Sequence, residues 1–227
     1  MKYEFDFASV LAQWPLFLEG AWTTVQLSFL ATVLGFVLGA LCAVGRGSRY
    51  GWLRRLVGTY VEAIRNTPLL VQSYFLVFGL SSVGATMPIM VGAVLALVIN
   101  IGAYTCEILR AGIESIHGGQ IEAAECLGLS HVQILWHVVL RPAVERVWPA
   151  LTSQFVLMML ATSIMSSVGA EELLGVATRI QSDTFRNFEV FLVLWGLYLA
   201  LSYLMRTGFW LLGLMVFTRR RKLGTPL

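Results

Sequence analysis

The sequence predicts an all-α membrane protein with five transmembrane helices, and three observations carry that prediction. Hydrophobic residues make up 57% of the 227-residue chain and charged residues only 13%, about half the charged share of an ordinary soluble domain. The apolar residues are gathered into stretches of membrane length, since about 20 residues of helix cross the hydrocarbon core. The basic residues sort to one face of that layout, and such a face is cytoplasmic. Arg46, Arg49, Arg54, Arg55 and Arg65 follow the first span, Arg110, Arg141 and Arg146 flank a central loop, and Arg206, Arg219, Arg220, Arg221 and Lys222 lie at the C-terminal end. Only Lys2, Arg179 and Arg186 remain for the outer face. With five spans this places the N-terminus outside and the C-terminus inside. The net charge of +3 then reads as a topology signal and asks for no nucleic-acid partner.

Residues 1–20 mix aromatic and acidic side chains and suit an interfacial helix on the outer surface. They lack the basic n-region of a cleavable signal peptide, so none is expected. Residues 21–218 form a single transmembrane domain, whose first span covers about 21–45 within the uncharged stretch Gly20 to Gly45. The second covers about 57–80. Near its start Asn66-Thr67-Pro68 predicts a kink, because proline lacks a backbone donor, and Glu62 and Arg65 stand at i, i+3 spacing for an ion pair. The turn-like Ser81 to Pro88 separates it from a third span at about 88–110. Asn100 lies deep in that span, where an unsatisfied amide is costly, and serves either as an interhelical hydrogen-bond partner or as path lining. Glu107 and Arg110 form a second i, i+3 pair near its inner end.

The loop 112–141 breaks at Gly118-Gly119, resumes as a short helix from Gln120 to Leu127 and breaks again at Gly128. Its core is Glu122-Ala123-Ala124-Glu125-Cys126-Leu127-Gly128. The alanines give a face that can approach another backbone closely, the glutamates favour the positive helix end, and Gly128 lets the chain reverse. This pattern resembles the EAA loop of permease subunits of type I ATP-binding cassette importers. The Arg65-Asn66-Thr67-Pro68-Leu69-Leu70-Val71-Gln72 segment and the stretch from Asn100 to Gly112 look like the polar amino acid branch of that family. The resemblance covers about residues 18–206. It implies that Glu122, Ala123, Ala124, Glu125 and Gly128 form a coupling helix for a separate ATPase dimer, which holds the ATP and Mg. No cofactor is expected on this chain, which has no Gly-x-x-x-x-Gly-Lys-Ser/Thr loop. The proline stands at Pro142, one residue later than the family pattern places it, which leaves the local bend open.

The fourth span, about 143–168, carries Gln154, Thr162 and Ser163, with Leu160-Ala161 where many relatives have a charged pair. The resemblance makes these residues candidates, with Asn100, for lining the substrate path; their other reading is hydroxyls bonded to their own helix. Glu171, Glu172, Arg179 and Asp183 follow on an outer loop, where the family meets its extracytoplasmic binding protein. The fifth span is about 188–208, with Arg206 expected at the inner interface before an amphipathic extension and a basic cytoplasmic tail at 219–227. Cys42, Cys106 and Cys126 lack CxxC spacing and His117, His131 and His137 share no helix face, so neither a disulfide framework nor a metal site is expected. A secondary transporter or channel would show inverted repeats or buried ionisable residues at mid-membrane. An intramembrane enzyme would need a base beside its hydroxyls. The expected function is inward movement of a polar amino acid across the bacterial inner membrane, by a chain paired with a second permease, a paralogue in preference to itself.

Overall fold

The computed structural model describes residues 4–217. Nine helices are formed among them: α1 (Phe7–Leu11), α2 (Trp14–Arg46), α3 (Gly51–Arg65), α4 (Leu69–Ser82), α5 (Ile89–Glu114), α6 (Gly118–Cys126), α7 (His131–Val168), α8 (Leu173–Thr184) and α9 (Asn187–Val216). Asp6 caps α1, its Oδ1 accepting from the Ala8 and Ser9 amides. Pro15 sits in the first turn of α2, where its missing donor costs nothing. The first membrane helix therefore begins at Trp14, inside the segment expected to lie on the outer surface.

Among the described residues four helices, not five, are long and apolar enough to cross a membrane: α2, α5, α7 and α9. The expected span 57–80 is broken in two. Pro68 is extended at φ −64°, ψ 137°, and a proline disfavours helical geometry in the residue before it. Asn66 and Thr67 turn back on α3, Asn66 Nδ2 donating to the Glu62 carbonyl at 2.9 Å and Thr67 Oγ1 to that of Ala63 at 2.8 Å. Beyond the break, α4 is apolar but only about 21 Å long at 1.5 Å per residue, short of a roughly 30 Å core. The break is stitched from inside: Gln72 Nε2 donates to the carbonyls of Ile64 (2.8 Å) and Thr67 (3.0 Å), and Asn100 Nδ2 donates to Gln72 Oε1 at 3.0 Å.

α5 is the buried centre of the molecule. α2 lies against it through Ala31, Gly35, Gly39 and Ala43, small residues at four-residue spacing that let helix backbones approach closely in lipid. A Cβ on Gly39 would stand 2.8 Å from the Gly102 carbonyl oxygen, and one on Gly35 would overlap Ile101. Tyr60 of α3 donates its hydroxyl to the Ile99 carbonyl at 2.6 Å. On the other side α7 meets α5 at Gly112, beside Val147 and the Ala143 carbonyl.

α7 answers the question left by Pro142. The helix is not interrupted there: residues Ile134–Leu140 wind as a π-helix, with the Arg141 amide donating to the Trp136 carbonyl, and continue directly into α-helix. A wide turn absorbs an extra residue without ending a helix. At its far end Thr162–Val168 tightens to 3₁₀ and Gly169, at φ +92°, reverses the chain. α9 continues without a break through Arg206 to Val216, so no separate amphipathic extension follows the arginine. The basic tail 219–227 lies outside the described residues.

Candidate coupling helix and translocation path

α6 is a short rod held by a small core of its own. Ala124 is buried with Ile116, Ile134, Val139 and Ala143, and Ile121 and Leu129 pack against them. Its C-terminus closes in a Schellman arrangement: Gly128, at φ +74°, donates to the Glu125 carbonyl, and Leu129 donates to that of Ala124. Ser130 and Gln133 then form a capping box that starts α7. Glu122, Ala123, Glu125, Cys126 and Leu127 face outward, Leu127 at 79% exposure. Of the five residues expected to couple to an ATPase, Ala124 thus faces this chain's own α7.

Above α6, where α5 is about to end, Glu107 gathers three arginines from three helices. Arg110 grips it through two nitrogens at 2.9 and 3.1 Å, Arg46 of α2 stands at 3.6 Å and Arg65 of α3 at 3.7 Å. Arg110 also bonds Glu114, and Arg65 lies over the Tyr104 ring. The expected Glu62–Arg65 pair is not formed, because Arg65 turns inward to Glu107. Sequence spacing found only the Glu107–Arg110 part; the other two contacts come from helices distant in the chain. One end of this region is further tied by Arg146 of α7, whose guanidinium donates to the Ser115 carbonyl and hydroxyl at 2.6 and 2.7 Å.

The candidate path residues do not converge. Asn100 is buried and spent on Gln72. Thr162 is wholly buried, donating to the Met159 carbonyl at 2.7 Å, and Ser163 donates to that of Leu160 at 2.7 Å. Gln154 is half-buried and makes no hydrogen bond to another described residue. Ser163 borders a cavity of about 330 Å³ with Leu160, Phe191, Leu194, Trp195 and Tyr198.

In the α7–α8 connection and α8, Glu171, Arg179 and Asp183 are exposed, Glu171 and Arg179 standing 3.9 Å apart. Glu172 is not available to a partner: it is fully buried. Its Oε1 caps α8 by accepting from Gly175, while Oε2 accepts from Tyr198 at 2.8 Å and Thr24 at 3.3 Å. Thr24 in turn accepts from the Leu173 amide, so one carboxylate fastens α2, α8 and α9. Desolvation pushes its pKa up, against the opposing hydrogen bonds from Tyr198, Gly175 and Thr24. Glu189, to which no sequence motif pointed, is also fully buried and accepts from the Asp6 amide at 2.9 Å.

A model of the family described as binding-protein-dependent transport system inner membrane component matches residues 35–218. The chain belongs to this family. It is the membrane permease subunit of an ATP-binding cassette importer and not an enzyme, since hydrolysis resides in a separate ATPase. The permease is 33% identical over 226 residues to the octopine transport system permease protein OccM of Rhizobium radiobacter, across 96% of this chain and 92% of that one. It is 36% identical over 197 residues to a probable amino-acid ABC transporter permease protein, y4tG, of Sinorhizobium fredii, covering 87% and 85% of the two chains. Its fold superposes on the crystal structure of an amino acid ABC transporter with histidines at a TM-score of 0.86, with 34% identity, 93% of this chain and 99% of that one. The permease is thus a multi-pass inner-membrane protein.

Proposed function

We propose that this permease moves an amino acid inward, driven through α6 by ATP and Mg²⁺ bound in a partner ATPase dimer. The observation that carries the coupling role is the outward face of α6. A rod whose inner side is fixed by Ala124 and Ile121 offers Glu122, Ala123, Glu125 and Leu127 to another protein. The substrate class rests on the relatives, two of which are described as amino-acid transporters. The distribution of basic residues supports a cytoplasmic α6 and C-terminus and an outer α8, where Glu171, Arg179 and Asp183 meet the binding protein; α2 and α5 then run in the same direction, and the short α4, whose Tyr74 hydroxyl donates to the Ser167 carbonyl at 3.0 Å, makes the return crossing between them. Asp183→Cys is then labelled in intact cells and Gln120→Cys only after permeabilisation; equal labelling of both overturns the orientation.

Four spans and a short α4 do not enclose a conduit, and broad apolar faces of α2 and α9 stay exposed, so the permease pairs. A paralogue is favoured, because Leu160-Ala161 leaves this chain without the charged pair of many relatives and a desolvated zwitterion needs compensation. A tagged permease isolated from native membranes brings down the ATPase, and Ala123→Cys cross-links to it. A functional assembly with this permease alone removes the heteromer.

A further inference from the structure

The paired helices α7 and α9 have two unlike sides. Toward α2 they open a groove of about 800 Å³ lined almost wholly by apolar side chains, among them Phe29, Phe36, Phe155, Leu204 and Leu212. On the side without α2 they enclose a cavity of about 240 Å³ bounded by Trp148, Thr152 and Ser153 of α7 and by Arg206 and Trp210 of α9. The cavity bordered by Ser163 lies between the same two helices, about 15 Å further out along α7.

Within α9, Arg206 is the one charge beyond Glu189. It stands about 15 Å from the Val216 end of α9, and Phe209 to Val216 beyond it carry no charge. No ion pair or hydrogen bond joins it to another described residue. An arginine set in so apolar a helix commonly faces a water-filled cavity, a pathway or a charged partner. Its neighbours are polar where the other side is not. Thr152 Oγ1 donates to the Pro149 carbonyl at 3.0 Å and keeps its lone pairs, while the exposed Ser153 hydroxyl bonds no other described residue.

We infer that this cavity is a carboxylate-recognition subsite on the path of the carried amino acid, with Arg206 as its cation and Ser153 as its hydroxyl donor. The inference rests on the amino-acid reading above. Guanidinium offers parallel donors that match the two oxygens of a carboxylate. The volume is below the roughly 300–1,000 Å³ of sites that enclose a drug-sized ligand, and suits the acid end of an amino acid held between two tryptophans. Arg206 gives this chain the positive charge that its fourth span lacks and leaves the substrate ammonium to the paired subunit.

The test uses the whole importer, with its ATPase, paired permease and binding protein, in nanodiscs and proteoliposomes. Import of a standard L-amino acid by the unaltered assembly establishes the amino-acid reading, and failure there overturns that reading by itself. The permease then carries Ser153→Cys with Cys42, Cys106 and Cys126 changed to Ala. The imported L-amino acid slows maleimide labelling of the new cysteine about tenfold, a factor that one charge-assisted contact supports, and its α-carboxamide does not. Adding Arg206→Gln removes the protection, while Arg206→Lys keeps part of it. Equal protection by the carboxamide, or undiminished protection with Arg206→Gln, overturns the subsite. So does slowing produced by exchanging phosphatidylcholine for phosphatidylglycerol without amino acid, which assigns the arginine to a lipid headgroup.

Discussion

Glu107 and Glu172 each sit where three helices converge, one at the end of the membrane domain that leads into α6 and the other at the opposite end, and they are held in opposite ways. Glu107 is met by three guanidiniums and keeps 17% of its side chain exposed, and its arginines are 25–42% exposed. Glu172 has no cation near it, is wholly buried, and is held by two hydroxyls and one amide. A half-wet ion cluster can exchange partners at little cost, whereas a dry hydrogen-bonded carboxylate leaves every donor stranded if it moves. The permease thus has an adjustable joint at the end that leads into α6 and a fixed one on the opposite side.

The largest effect expected is at the fixed joint. Glu172→Ala removes the α8 cap and strands Tyr198, Thr24 and the Gly175 amide, which costs about 3 kcal/mol. Thermal unfolding of the purified permease reads this as a clear drop in Tm, and an unchanged Tm would place Glu172 outside the frame of the fold.

The pH dependence sharpens the contrast. Because burial raises the Glu172 pKa above 4.5, the folded state holds that proton more tightly than the unfolded chain. Its contribution is therefore complete below 4.5 and is lost as pH climbs through the raised native value. Asp6, lowered from 3.8 chiefly by the Ser9 amide, acts in the reverse sense and contributes only above its unfolded value. Amide exchange in α8, corrected for intrinsic rate, is expected to quicken with rising pH, and Glu172→Gln to flatten that trend.

Gly128→Val is next in size. At φ +74° a β-branched residue is strained by about 1–2 kcal/mol, enough to misplace α6 while leaving insertion intact. Normal uptake by this variant in proteoliposomes would mean that α6 couples nothing. The smallest effect belongs to the adjustable joint. Glu107→Gln costs about 1 kcal/mol or less, since its partners are partly solvated, and raising the salt concentration narrows its Tm gap to the unaltered permease.

Much of this fold was legible from residue order alone. Uncharged stretches marked α2, α5, α7 and α9, and Gly128 marked the end of α6, whose first turn takes in the Gly118-Gly119 pair expected to break the chain before it. The expected second span, 57–80, is split because hydropathy does not register a break made by Pro68 and secured by Gln72 from across a turn. Glu172 read as a surface acid because its burial depends on Thr24 and Tyr198, far away in sequence. Thr162 and Ser163 were visible as hydroxyls, but only the backbone decides whether a hydroxyl looks outward or bonds the carbonyl three residues back. Arg206 is expected at the inner interface, and residue order places it along a helix without showing the cavity beside it. The small residues Ala31, Gly35, Gly39 and Ala43 were a visible signal that hydropathy alone does not weigh.

That row of small residues has a mechanical consequence. Helices in contact through long side chains on both sides can slide, because rotamers yield; α2 and α5 touch where one partner is a glycine, Gly35 against Ile101, Gly39 against Thr105 and Gly102 against Leu38, so there is little slack to yield. They form a single stiff mast, and α6 hangs from its foot by the short link Ser115 to His117. A push on α6 is then delivered to the mast as a tilt and cannot be absorbed by shear within it. The parts left to open and close a path are those hinged on the mast: short α4 beyond its proline, and the α7–α9 pair that holds Arg206.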